Sequence, residues 1–438
     1  MQTRPSIDQD PGGESGTKPA VLDRVQELTH PPAGPGFADR VTEVISDESA
    51  PGADLWLGRR VEPLVAVGQI VSQGQALLSD RNDRRVMLAA PVAGRVARLD
   101  LAAGRRLREL VLFHEAGGDR RRFDITGGEH GAEIRRLMLD SGLWTTFRSR
   151  PGGRFPSAGS SPAAIFVVAA QTRPGSISPR RALVGNEVEF HRGLDALRTL
   201  TAGPVFLLQD SGEDLAPDAS WLHRARAAAQ HPGGLAGGHV HRLCPASPDR
   251  PVWDIEAQDV AALGELITTG YLPVTRLVAL SGTGLRGPRL VRTQAGADLR
   301  ALVRGALTPG PKTILSGGLP DGVESRYLRA GDRQAAVLPL RTTRPRGHWF
   351  GAALTGAARP VPIIPSAALF QSIALGTPAM PLLRALAAGD DETAIRLGAL
   401  SLVEEDLALV DHVTAAAPPM ARMLRALLDR VAAREHAG

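Results

Sequence analysis

Between Trp144 and Arg150 the chain sets two aromatic rings, Trp144 and Phe147, beside two guanidinium groups, Arg148 and Arg150. A flat ligand with carbonyl or anionic oxygens is served by that combination, because rings stack on its face while guanidinium forks donate to its oxygens. The same spacing suits a plainer role, in which the rings anchor a helix end in the core. His231, His239 and His241 form the histidine cluster. Read as a strand, residues 238–243 put His239 and His241 on one face by the period of two, and His231 can swing in across Pro232-Gly233-Gly234. A metal site needs a further ligand and no carboxylate is close in sequence, so the alternative is imidazoles bonded to loop backbone or to a partner. Glu404-Glu405-Asp406 reads as a helix start whose acids face water and favour the dipole. Gly282-Thr283-Gly284-Leu285-Arg286-Gly287 has the letters of a dinucleotide fingerprint. Pro288 and the strand-like Leu290-Val291 follow where a helix must begin, so the segment reads as a turn without a pyrophosphate cradle. No phosphate-binding GxxxxGK[ST] loop and no nucleophile-and-base spacing occurs, and no catalytic residue is assigned.

The elements that hold these residues follow from composition and pattern. A length of 438 residues, 43% of them hydrophobic, predicts two to four domains with cores of their own and excludes disordered or collagen-like chains. Cys244 stands alone, which excludes an internal disulfide and the clustered thiolates of an iron–sulfur or zinc-ribbon site. Lys18 and Lys312 are the only lysines among 51 basic residues, against 46 acidic ones. Arginine excess without a basic, aromatic-laced stripe argues against nucleic acid as a partner. No run approaches the ~18–20 apolar residues of a membrane span, and the start of the chain lacks a secretory core, which predicts a cytoplasmic location.

Residues 1–40, rich in Pro and Gly, read as a flexible leader. Residues 41–126 hold short apolar runs between glycine turns, the mark of a small β unit. Its Gly74-Gln75-Ala76-Leu77 and Ala90-Pro91-Val92-Ala93-Gly94 stretches resemble the barrel-sandwich hybrid of biotinyl and lipoyl carriers. The turn from Ser79 to Arg85 has no lysine, so covalent biotin or lipoate is excluded. Residues 127–272 predict a Rossmann-like α/β layer, with strands at 163–170, 204–208 and 238–243 and helices at 186–200, 221–229 and 259–268. Residues 273–346 carry strands around 277–280 and 289–292 and a helix over 297–307, a β-grasp pattern of the soluble-ligand-binding (SLBB) type. Residues 347–438 predict a helical domain, in which Asp390 caps one helix and Met420, Met423, Leu424, Leu427, Leu428 and Val431 line one face of the last. The fold class is multidomain, α+β and α/β.

Five ordered, spaced motifs carry a family resemblance. They are Ser141-Gly142-Leu143-Trp144-Thr145-Thr146-Phe147-Arg148-Ser149-Arg150-Pro151, His231-Pro232-Gly233-Gly234-Leu235 with Gly238-His239-Val240-His241, and Thr268-Thr269-Gly270. Pro288-Arg289-Leu290-Val291-Arg292-Thr293 and Gly389-Asp390-Asp391 through Glu404-Glu405-Asp406 complete them. Over a match that runs from about residue 25 to the end, the chain resembles the A-type family of peripheral proteins in the sodium-translocating NADH:quinone reductase. The resemblance implies a peripheral subunit on the cytoplasmic side of the bacterial inner membrane, docked chiefly on the membrane-embedded B subunit. The whole complex would oxidise NADH, reduce ubiquinone and export sodium. It further implies that this chain binds no cofactor, that flavins and iron centres lie on other subunits, and that Trp144, Phe147, Arg148 and Arg150 contribute to a quinone site. Two departures from the family stand out: Gly152-Gly153-Arg154 replaces its usual aromatic and lysine, and residues 341–365 have little of its long aromatic and basic insertion. An Rnf-type electron-input subunit with flavin and NADH, and a non-catalytic assembly scaffold, are the alternatives.

Overall fold

The computed structural model describes residue 37 and residues 41–435 apart from 116, 127–129, 341–362, 374–377, 415 and 417. The leader apart from residue 37, and nearly all of the stretch compared with the family's insertion, therefore lie outside the described residues. The first β unit is two facing sheets, one ordered Glu48–Ser49, Arg106–His114, Gly94–Ala102, Ile70–Val71 and the other Val61–Pro63, Ala76–Asp80, Met87–Ala89. Their shared core is Trp56, Val61, Leu77, Leu78, Val96 and Leu112.

The α/β part is a five-stranded sheet ordered Leu222–Arg226, Val205–Gln209, Ala164–Ala169, Val252–Glu256, Arg148–Arg150. Its first four strands are parallel, and Arg148–Arg150 is an antiparallel edge. All six residues of Ala164–Ala169 are buried, as an unbroken apolar run requires when both faces of a central strand are covered. Alternate residues separate the faces. Ile165, Val167 and Ile255 pack with Leu194 and Val260 of the helices Glu187–Arg198 and Ala257–Thr269, whereas Ala164, Phe166 and Val252 meet Val240 of Ala236–Leu243. The first two helices cross so closely that a Cβ on Gly193 would lie 2.0 Å from the Val260 carbonyl oxygen, and one on Gly264 would lie 1.8 Å from that of Glu189. Only glycine fits there. Because the strand order reverses between Ala164–Ala169 and Val252–Glu256, a crevice opens at their C-terminal ends.

Two expected elements change type. Residues 221–229 form not a helix but the strand Leu222–Arg226, which gains a full parallel ladder with Val205–Gln209. Residues 238–243 belong not to a strand but to the helix Ala236–Leu243, where Ala236 and Val240 share a buried face one turn apart. A His-Val-His window fits either period, and tertiary packing selects one.

The third sheet is ordered Val41–Glu43, Arg289–Thr293, Arg276–Ser281, Gln334–Pro339, Lys312–Ser316, Val323–Glu324. Residues 41–43, grouped above with the first β unit, pair instead along Arg289–Thr293 as an edge of this sheet. The glycine-rich segment is the turn joining Arg276–Ser281 to Arg289–Thr293, which run antiparallel, so no helix N-terminus stands behind it. The helix expected over 297–307 shortens to Leu299–Leu302, begun by the Asp298 carboxylate accepting from the Arg300 N–H. The C-terminal part is helical. Asp390 accepts from the Thr393 N–H at 3.0 Å, and Met420, Leu424, Leu427, Leu428 and Val431 bury their stripe against Leu382, Leu383, Leu407 and Val410. Each fully buried leucine contributes roughly 1.5–3 kcal/mol. Among the described residues no helix is long and apolar enough to cross a membrane.

Candidate functional site

A cleft of about 1000 Å³ runs where the two β-rich parts, the α/β part and the C-terminal helices meet. That volume suits a molecule the size of a cofactor or a drug. The edge strand Arg148–Arg150 and the strand Val252–Glu256 bring its charged wall together, because their antiparallel register sets Asp254 opposite Arg148. Arg148 donates from Nε to Asp254 at 2.9 Å and pairs through Nη2 with Asp254 at 2.7 Å and Glu405 at 2.8 Å. Arg150 donates from Nε to the other Asp254 oxygen at 2.8 Å and from Nη1 to Asp406 at 2.9 Å and the Ser401 carbonyl at 2.7 Å. Arg173, just past the Ala164–Ala169 strand, spans Asp321 of the third sheet region and Glu405 of the helices, each at 2.6 Å.

Burial alone would depress the Arg148 guanidinium, but Asp254 and Glu405 outweigh it and hold the group well above the usual arginine range. Burial opposes ionisation of Glu405 too, and the guanidinia of Arg148 and Arg173 overcome it, leaving that carboxyl well below its usual range. Asp406 moves upward, because burial exceeds the help it receives from Arg150. The acids read above as water-facing helix-start groups are thus mostly internal. Glu405 and Asp406 close the arginine cluster, and only Glu404 stays half exposed, 3.3 Å from Arg425.

Of the segment singled out by its rings and arginines, Arg148 reaches the cleft wall with a partly exposed side chain, and Phe147 lies against it fully buried. Trp144 does not: it is fully buried, donates from Nε1 to the Pro156 carbonyl at 2.9 Å, and packs edge-on against Phe147 and Trp253 with centroids 5.5 and 5.2 Å apart. Arg150 is likewise fully buried. The histidines do not converge. On a helix, residues two apart face nearly opposite ways. The His239 Nε2 lies 2.9 Å from the Gly233 carbonyl, the His241 ring packs at Gly398, and His231, beside Thr172, is pushed down to about 4 by burial and Arg173. Among the described residues no group of three His, Cys, Asp or Glu is arranged to hold a metal ion.

The residues missed from sequence are Asp254, Glu256, Arg173 and Asp321. A signal existed for the first two, since Val252-Trp253-Asp254-Ile255-Glu256 places acids at alternate positions of an apolar strand. Burial pushes Glu256 up to about 7, against the pull of Arg333, Arg173 and Arg148.

Three family models match the chain in order: the NqrA N-terminal barrel-sandwich hybrid domain over residues 46–115, the NqrA second alpha/beta domain over 130–272, and the NQRA C-terminal domain over 277–326. The A-type component of the Na(+)-translocating NADH-quinone reductase of Marinomonas sp. (strain MWYL1) is 33% identical over 387 residues, covering 81% of this chain and 86% of that protein. The chain belongs to this NqrA family. Its counterparts from Saccharophagus degradans, 34% identical over 84% of this chain and 89% of its own length, and from Actinobacillus pleuropneumoniae serotype 3, 32% over 88% and 93%, agree. Among solved structures, an NAD+-reducing [NiFe]-hydrogenase in the air-oxidized state covers 69% of this chain and 64% of its own at 15% identity and a TM-score of 0.40, too low to bear on the fold. In this NqrA-family chain, the Trp144–Arg150 motif is therefore a core anchor at Trp144, Phe147 and Arg150, with Arg148 on the cleft wall.

Proposed function

We propose that this chain is a peripheral subunit of a Na(+)-translocating NADH-quinone reductase, held on the cytoplasmic face of the bacterial inner membrane by the membrane-embedded subunits, chiefly the B subunit. The complex oxidises NADH, reduces ubiquinone and exports sodium. The observation that carries this reading is the kinship to NqrA proteins along most of both chains. This chain itself carries no redox group in our reading, the flavins and iron centres being held by its partners. Its contribution is to shape a quinone contact in the cleft, with Arg148 as the donor to a carbonyl oxygen and the buried Phe147 as part of the apolar lining. Support comes from Arg148, whose side chain is 27% exposed and lines the cleft. For Trp144 and Arg150, full burial favours the scaffold role.

The test is Phe147→Ala and Arg148→Ala in the assembled complex, with subunit composition and NADH-driven quinone reduction measured together. Quinone turnover reduced tenfold or more in an intact complex supports the contact, and unchanged turnover removes it.

A further inference from the structure

The strands Arg276–Ser281 and Gln334–Pro339 run parallel and side by side, so Arg276 at the head of one and Arg333 just ahead of the other come to the same end of the third sheet. Both line the cleft. Each donates from Nη1 to one shared acceptor, the Ala330 carbonyl, at 3.0 and 2.9 Å. The two nitrogens are therefore no more than about 6 Å apart, and two like charges at that range repel unless anions answer both. Only one is answered. Asp259 turns both its oxygens to Arg333 Nη2, at 2.7 and 2.6 Å, while Arg333 Nε stays enclosed without an acceptor. Arg276 makes its single side-chain bond to Ala330 and no ion pair among the described residues. Burial and the Arg333 charge pull its guanidinium down to about 10, and the more distant Asp259 and Asp54 offset this only in part.

The guanidinium edge formed by Nε and Nη2 offers two parallel N–H bonds, a spacing that a carboxylate matches. Elsewhere this chain fills that edge from its own acids: Arg59 with Asp80, Arg148 with Asp254 and Arg430 with Asp391. At Arg276 the same edge meets no acceptor among the described residues. Space is at hand, since a Cβ on Gly331, next to Ala330 on the cleft wall, would meet nothing within 4 Å. We propose that Arg276 anchors a carboxylate-binding site at this end of the cleft, its Nε and Nη2 taking the two oxygens of a small-molecule carboxylate. One unanswered positive charge matches a monoanion. Asp259 on Arg333, and Asp54 and Asp332 on Arg329, stand around it and work against a phosphate dianion. The site does not depend on the quinone contact at Arg148.

The purified full-length chain, titrated at constant ionic strength with 4-fluorobenzoate and with 4-fluorobenzamide, the same ring without the charge, tests this by fluorine NMR. One benzoate saturates each wild-type chain, and the amide binds about tenfold or more weakly. Arg276→Gln weakens benzoate binding by about tenfold or more. Arg276→Lys recovers only part of the loss, because an ammonium does not span both oxygens. If Arg276→Gln does not fold, the contrast between benzoate and amide on the wild type, with the Lys variant, decides. Equal benzoate affinity for wild type and Arg276→Gln overturns the proposal, as does equal affinity of the wild type for acid and amide or no saturable binding at all. Inorganic phosphate displacing the probe at lower concentration than acetate overturns the carboxylate assignment.

Discussion

At the scale of single residues, Arg150 shows how little a charge says about its role until its surroundings are known. Fully buried, it sits between Asp254 and Asp406. Removing one partner of a buried pair leaves uncompensated charge, so Arg150→Met lowers stability by about 3–5 kcal/mol, read by denaturant melting. Arg150→Lys does not restore it, because one ammonium cannot reproduce a fork that reaches two carboxylates and a carbonyl. Glu256 behaves oppositely. Its folded-state pKa, about 7, lies above the usual carboxyl value, so between pH 4.5 and 7 the folded state binds more protons than the unfolded one and stability falls as pH rises. Glu256→Gln removes that loss: it stabilises the chain by on the order of 1–3 kcal/mol at pH 8 and by nothing measurable at pH 4. A variant without that pH contrast contradicts the burial of this carboxyl. In the sequence, the rings and arginines of residues 144–150 were visible as chemistry, but which of them faces the cleft was not, since successive residues on an edge strand point to opposite faces.

At the scale of elements, the crossing of Glu187–Arg198 and Ala257–Thr269 is set by two glycines against backbone carbonyls. A methyl group at either position must push the helices apart, and overpacking of this kind costs about 1–3 kcal/mol. Gly193→Ala and Gly264→Ala therefore each lower the melting point. The double variant costs less than the sum, because the first shift makes room for the second methyl. Strict additivity in a double-mutant cycle would show that the two contacts are independent. The buried strand Ala164–Ala169 and both helices were legible from apolar runs and period. Residues 222–226 and 236–243 were not. Leu-His-Arg-Ala-Arg and His-Val-His carry no period long enough to outvote their neighbours, and the ladder to Val205–Gln209 in one case and the Val240 contact in the other decide.

At the scale of the whole molecule, one charged cluster ties the C-terminal helices to the α/β part and to the third sheet region. Glu405 is the hub, reached by Arg148 and Arg173. Its depressed pKa means that its stabilisation is present above about pH 4.5 and is lost as pH falls through the folded-state value. Glu405→Gln at neutral pH mimics that loss locally. Hydrogen exchange then speeds up in the helices Glu405–Thr414 and Met420–Glu435 while the strand Ala164–Ala169 keeps its protection. Uniform acceleration across all parts would contradict a local fastening.

Sequence by itself determined the kinds of part in this chain and their order, because apolar period and glycine turns act within one element, and it excluded thiolate-held metal clusters through a lone cysteine. Only the tertiary structure decided which acids are solvated and which are internal, and where the cleft lies. Residues such as Arg148, Arg173, Glu256 and Glu405 stand far apart along the chain and come under one another's fields only when the parts dock. Burial and opposite charge at a few ångströms depend on distance in space, which no short stretch of sequence encodes.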